Sequence, residues 1–341
     1  MRTTMWTRLP APAAVTVLVL WATVLTEANA AAEPALDVKS VADRIVYETF
    51  QDKNWELFIC NADGSNASNF TRTPNAHELY PHVSPDGSKL SFLSDEGEGA
   101  QKSRNLYLMN MDGTGRTLVA RNARDQCWSG DGKRLAYLRG EFAEFTIKDY
   151  ATRQLVIYDL ATGQHREHPN PDLHHLYNLC WAADGKWFVA TVHGGMGFGH
   201  AILAIEADGQ RVVNLKLPGC RPDLSPDGKK IAWGASDFVL RAGDFDTTGP
   251  EPKVTNLRDL MASAKPIEVY HVDWSPDGKY VAFSRGPSRK KLGPAPEMIG
   301  AMAPDWNICV ADANATNRWL QLTTDGRCNK EPDWAPARKE K

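Results

Sequence analysis

Short apolar runs recur along the chain, and most begin just after a Ser-Pro-Asp-Gly tetrapeptide or a close variant of it. Residues 89–93 read Lys-Leu-Ser-Phe-Leu, residues 134–138 Arg-Leu-Ala-Tyr-Leu, and residues 280–284 Tyr-Val-Ala-Phe-Ser. Runs of this length, rich in β-branched and aromatic residues and bounded by turn residues, predict strands. The tetrapeptide itself predicts a turn. Pro fixes φ at the first corner, Asp bonds its own backbone, and Gly takes the positive φ. Further along each unit, a second apolar run ends in another Asp-Gly, at 63–64, 112–113 and 208–209, a strong hairpin signal. Each unit therefore supplies four strands, a to d, with tight turns at a–b and c–d.

The unit repeats at 80–87, 125–132, 178–185, 221–228 and 271–278, with a worn copy at 331–337. The aspartates of the turns, Asp86, Asp131, Asp184, Asp227 and Asp277, are spaced 43 to 53 residues apart. A four-stranded repeat of that length predicts a β-propeller blade. Residues 44–50 form a strand b with no strand a before it, and residues 330–334 a strand a with no b after it. Joined, they complete one blade and remove the open edge that a row of sheets exposes. The expected fold is all-β: a six-bladed propeller of four-stranded antiparallel blades over residues 44–336, closed by the C-terminal strand.

In such blades the a–b and c–d turns lie at one end of the ring, and the b–c and d–a links at the other. Long links are expected at 94–104, 140–153, 168–175, 193–200, 257–268 and 286–304, all at one end, and insertions gathered on one face usually bind. Residues 257–265 fit a short helix. Residues 286–304, with Arg289, Lys290, Lys291 and four prolines, read as a basic flap.

Composition adds the compartment. The formal net charge of −3 over 341 residues gives no footing for a nucleic-acid partner. Residues 1–30 read as a secretory signal, with Arg2 and Arg8 before an apolar stretch at 11–25 and an Ala-x-Ala site at 28–30. Residues 31–43 then form a linker and 337–341 a tail. With no second apolar span, a periplasmic or secreted protein is expected. All six cysteines lie in the exported part. Each falls in a predicted strand or just before one, on different blades, which favours buried thiols; Cys127 and Cys180 share one register and pair only if their strands approach within disulfide range.

The innermost strands carry the candidate chemistry. Aligned on the position before Ser-Pro, they present Val83, Trp128, Trp181, Leu224, Trp274 and Trp334, an apolar set suited to packing between blades. The opposite face carries His82, Cys127, Cys180, Asp223, Asp273 and Asp333. Two residues earlier it carries Tyr80, Asp125, Asn178, Arg221, His271 and Glu331. That face borders the channel. Carboxylates so close repel unless a cation, a proton or Arg221 balances them. Two readings stand: each Asp caps backbone or pairs within its own blade, or the ring holds a cation or ligand. On the second, the ligand-binding candidates are His82, Asp125, Arg221, Asp223, His271, Asp273, Glu331 and Asp333. The candidate cofactor is a divalent cation on His82, His271 and Asp273. Most other histidines map to the loop-bearing end, but at spacings that define no metal geometry. No Gly-x-Ser-x-Gly elbow or Walker loop is present, and the glycine-rich 195–199 links two strands, so no residue is assigned to catalysis.

The repeat Pro-x-Trp-Ser-Pro-Asp-Gly-Lys-x-x-Ala-Phe, followed by a strand ending in Asp-Gly and by a Leu-Thr such as that within 320–326, resembles the WD40-like PD40 repeats of the TolB-like propeller family. The resemblance covers about residues 44–336. It implies a non-catalytic exported propeller that binds an envelope or extracellular protein, peptide or glycan at its channel mouth. The α/β domain that precedes the propeller in TolB has no counterpart in the short 31–43 segment. Oligogalacturonate lyases share the repeat, which implies an alternative: a metal-dependent carbohydrate-active enzyme, served by histidines with Arg221 and Arg285.

Overall fold

The computed structural model describes residues 36–288 and 303–337. The expected signal segment, most of the basic flap and the tail after 337 lie outside the described residues. Six four-stranded antiparallel sheets are present. Blades 2 to 6 are each built from consecutive strands, beginning with the inner strands His77–Val83, Ala123–Trp128, Leu176–Trp181, Cys220–Leu224 and Ile267–Trp274. Blade 1 is composite: Cys328–Ala335 pairs with Arg44–Gln51, followed by Asn54–Asn61 and Ser68–Asn69. The latch is in the expected register, with Trp334 opposite Ile45.

The turns form for the reasons legible in their residues. In the a–b turn of blade 2, Ser84 donates its hydroxyl to Asp86 Oδ1 at 2.6 Å, Gly87 N–H reaches Ser84 O, and Gly87 sits at φ 67°. The same Ser–Asp bond recurs at Ser129–Asp131, Ser225–Asp227 and Ser275–Asp277.

Packing follows the ring. Each pair of neighbouring blades encloses its own apolar cluster, including one between blades 6 and 1. The aligned Val83, Trp128, Trp181, Leu224, Trp274 and Trp334 are all buried. Because the clusters lie between blades rather than within them, no blade buries its faces alone.

Three expectations are corrected. Residues 257–265 are not helical: Lys253–Ala262 is the outer strand of blade 5, and the Leu257, Leu260 and Met261 spacing that suggests a helix falls on a bulged strand with Asn256 at φ 52°. Residues 193–200 are not a long link. Blade 4 continues as a hairpin through the pair Gly195 and Phe198, turning at Met196 and Gly197. Residues 36–43 are not a bare linker, since Leu36 and Val38 are buried in the cluster between blades 6 and 1. Among the described residues, the long b–c link at this end is thus 141–151, with a shorter one at 97–102. Cys60, Cys127, Cys180, Cys220 and Cys309 are free thiols.

Candidate functional site

All six inner strands break their ladder at the same point. The register shifts between Leu79 and His82, Arg124 and Gln126, Tyr177 and Cys180, Cys220 and Asp223, and Tyr270 and Asp273. In blade 1 it shifts between Val46 and Glu48, opposite the latch strand. At each break one residue is left-handed: Tyr80, Asp125, Asn178, Arg221, His271 and Glu331 have φ of 52°, 34°, 49°, 58°, 56° and 47°. A non-glycine residue there costs on the order of 1 kcal/mol. Six at one level imply that the ring imposes the conformation. Pro81, Pro222 and Pro332 follow three of them, and proline has no ladder N–H to lose.

A bulge orphans a main-chain N–H, and the neighbouring blade supplies the acceptor. Tyr80 N–H bonds Glu48 Oε2 at 3.1 Å, Asn178 N–H bonds Asp125 Oδ2 at 2.9 Å, and Arg221 N–H bonds Thr191 Oγ1 at 2.9 Å. The lower aspartates act alike. Asp223 accepts Trp274 N–H at 3.0 Å, Asp273 accepts Trp334 N–H at 2.7 Å, and Asp333 accepts Val83 N–H at 2.7 Å. They cap backbone, but across blade boundaries rather than within a blade.

Seven of the eight expected binding residues, His82, Asp125, Arg221, Asp223, His271, Asp273 and Glu331, line one central cavity of about 40 Å³. Asp333 is turned aside and holds His82 Nδ1 at 2.9 Å. The cavity has room for a few waters. His82, His271 and Asp273 do not come together as a metal site: among the described residues, no three His, Cys, Asp or Glu are grouped to hold a metal ion. His271 instead bonds Ser284 Oγ at 3.1 Å and Glu331 Oε1 at 2.9 Å. Arg221 Nη1 lies 3.5 Å from the same Glu331 oxygen, with its guanidinium over the Tyr177 ring.

Burial sets the protonation of this ring, and the neighbours modify it. Burial and the Asp149 charge push Asp125 up to about 7. Burial chiefly, with Asp333 adding, puts Asp223 at about 7. Burial beside Asp333 and Asp223 carries Asp273 well above the ordinary carboxylate range. Burial beside Glu331 raises Glu48 to about 8. For Glu331 burial is outweighed by His271 and Arg221, and the group is held at about 2. Burial lowers His271 to about 4. A neutral His271 therefore donates Nε2–H to Glu331 and accepts from Ser284. Burial opposes the His82 imidazolium, but the Asp333 bond prevails and raises it. Protons and neighbouring N–H groups thus answer the carboxylate repulsion expected from the sequence.

Several members of the network were missed by sequence reasoning. Glu48, Thr191 and Ser284 interrupt apolar strand-b runs, and each is buried; a polar residue on a buried strand face was the available signal. Asp149 comes from the 141–151 link, and Arg104 and Asp95 flank the b–c link of blade 2. Nothing periodic marks those three.

No family model matches the chain. A curated relative, dipeptidyl-peptidase 5 of Porphyromonas endodontalis, is 26% identical over 247 residues, which is 66% of this chain and 29% of that protein. The chain thus spans under a third of that relative. Among solved structures, TolB from Acinetobacter baumannii superposes with a TM-score of 0.63 at 20% identity, over 86% of this chain and 67% of the other. A chain of a nidogen/laminin complex gives 0.58 at 9% identity, over 86% and 98%. At these identities the likeness is one of fold. Among the described residues no helix is long and apolar enough to cross a membrane. In fold, the chain is a six-bladed β-propeller similar to that of TolB.

Proposed function

We propose that this protein is an exported, non-catalytic recognition module. Its b–c end takes a segment of an envelope or extracellular protein, peptide or glycan, which seats on the channel mouth. The observation that carries this reading is the ring of six left-handed residues, one from each blade, around a single cavity. Strain repeated at one level, with charged and aromatic side chains held by neighbouring blades, is a preorganised surface. The TolB-like fold supports the reading by analogy.

The test compares capture from a native envelope fraction by wild type and by Asn178→Gly. Asn178 lines the cavity, and glycine tolerates its positive φ, so the variant removes a lining side chain while keeping the bulge. Capture of a defined partner that weakens in the variant supports the reading. Turnover of polygalacturonate abolished by a chelator, or release of dipeptides from a peptide substrate, overturns it in favour of an enzyme.

A further inference from the structure

Arg104 is 3% exposed and bidentate on one carboxylate, giving Nε to Asp95 Oδ1 at 2.6 Å and Nη2 to Asp95 Oδ2 at 2.9 Å. Its Nη1 nevertheless reaches a second carboxylate, Asp149 Oδ1, at 3.2 Å, and Tyr80 donates its hydroxyl to Asp149 Oδ2 at 2.7 Å. Asp149 belongs to no strand. It arrives on 141–151, which lies across blades 2, 3 and 4. Phe145 is covered by Lys102 at 4.5 Å, Arg124 Nη2 donates to Thr146 O, Glu141 meets His175 at 3.3 Å, and Tyr150 packs on His193 at 4.4 Å.

Asp149 is the less buried of the two carboxylates on Arg104, and its charge favours the Arg104 and Arg124 cations while opposing the acidic groups around it. Its charge bears on Glu48, Asp125 and Tyr177, from three other elements of the ring, and it raises the pKa of both buried carboxylates. Asp95 alone gives Arg104 a bidentate partner. Asp149 is also 22% exposed, against 6% for Asp95. Burial and the Asp149 charge hold the Tyr80 pKa well above its ordinary value, so the hydroxyl remains a donor. A guanidinium edge and a phenol thus converge on one carboxylate position in a recess that shares Tyr80 and Asp125 with the central cavity, the arrangement that recognises a carboxylate.

We propose that Arg104 and Tyr80 form a carboxylate-binding subsite at the channel mouth. Its resident occupant is Asp149, delivered by the 141–151 strap and displaced when a ligand carboxylate enters. The displacement step rests on the mouth being the binding face; the existence of the subsite does not.

Acetate is the first probe, offered at fixed pH and ionic strength against chloride. In Asp149→Ala it should bind saturably and raise the melting temperature, with no such response in wild type or in Asp149→Asn, whose amide fills the space. Adding Tyr80→Phe to Asp149→Ala should weaken acetate binding about tenfold, through loss of one hydrogen bond to a charged group. Absence of an acetate-specific response in Asp149→Ala, or an equal response in wild type, overturns the subsite. If Asp149→Ala does not fold, the intact protein still decides: tetra-alanine with a free C-terminus and digalacturonate are compared with their amidated and esterified forms. Faster trypsin cleavage after Lys148 with a free acid supports the proposal and names the carboxylate's source. No change with either overturns displacement of the strap, even where the protein still captures a partner.

Discussion

Two arcs of the ring perform the same task with different groups. Along blades 5, 6 and 1, Asp223, Asp273 and Asp333 each accept the main-chain N–H that opens the next inter-blade core. At the equivalent positions of blades 3 and 4 stand Cys127 and Cys180, both buried. There the stitching moves one level up, to Asp125 and Thr191, while Gln126 and Trp128 donate to the Tyr80 and His82 carbonyls at 2.6 and 2.9 Å. A propeller boundary therefore needs an acceptor for each stranded N–H but does not dictate its position. The carboxylate arc secures the boundary and adds protonation; the thiol arc packs.

The largest expected difference is at the latch. Asp273→Ala leaves Trp334 N–H buried without its acceptor and should cost about 2–3 kcal/mol by urea denaturation, whereas Asp273→Asn, which keeps an acceptor oxygen, should cost under about 1 kcal/mol. Equal losses in the two variants would show that the bond is not what secures the latch.

Protonation sharpens the contrast next. Glu48 keeps its proton in the folded protein up to about pH 8, against an ordinary value of 4.5. Its contribution is complete below pH 4.5 and is lost as pH rises to 8. Glu48→Gln does not titrate, so its stability relative to wild type should rise across that window. His271 has the opposite sign. Its folded value of about 4 lies below the ordinary 6.5, so the unfolded chain takes up a proton first and stability falls as pH drops from 6.5 to 4. His271→Gln should flatten that acid limb in thermal melts collected from pH 4 to 7. The smallest effect is expected in the thiol arc, where Cys127→Ala removes one buried sulfur and should cost about 1 kcal/mol in the same denaturation assay.

The blades were legible because turn and strand signals agree: Ser-Pro-Asp-Gly fixes where each strand b begins, and counting back from it fixes which inner residues face the channel. That is why Asp125, Arg221 and His271 were found without coordinates. The bulge was not legible, since Tyr, Arg, His and Glu are not residues that announce a left-handed φ. It also changes how the aspartates are used, turning expected intra-blade caps into bonds across boundaries. Asp149 was out of reach for a different reason: its position depends on how a non-repeating link folds back over its neighbours. Blade 5 misled through its spacing, because Leu257, Leu260 and Met261 satisfy a helical period although tertiary pairing made them a strand.

The latch has a consequence for biogenesis. Arg44–Gln51 precedes its inner neighbour, Cys328–Ala335, by five intervening blades of chain. Until that later segment arrives, blade 1 has a bare hydrogen-bonding flank, a template for pairing with other chains. Ring closure must therefore wait until Cys328–Ala335 has been synthesised.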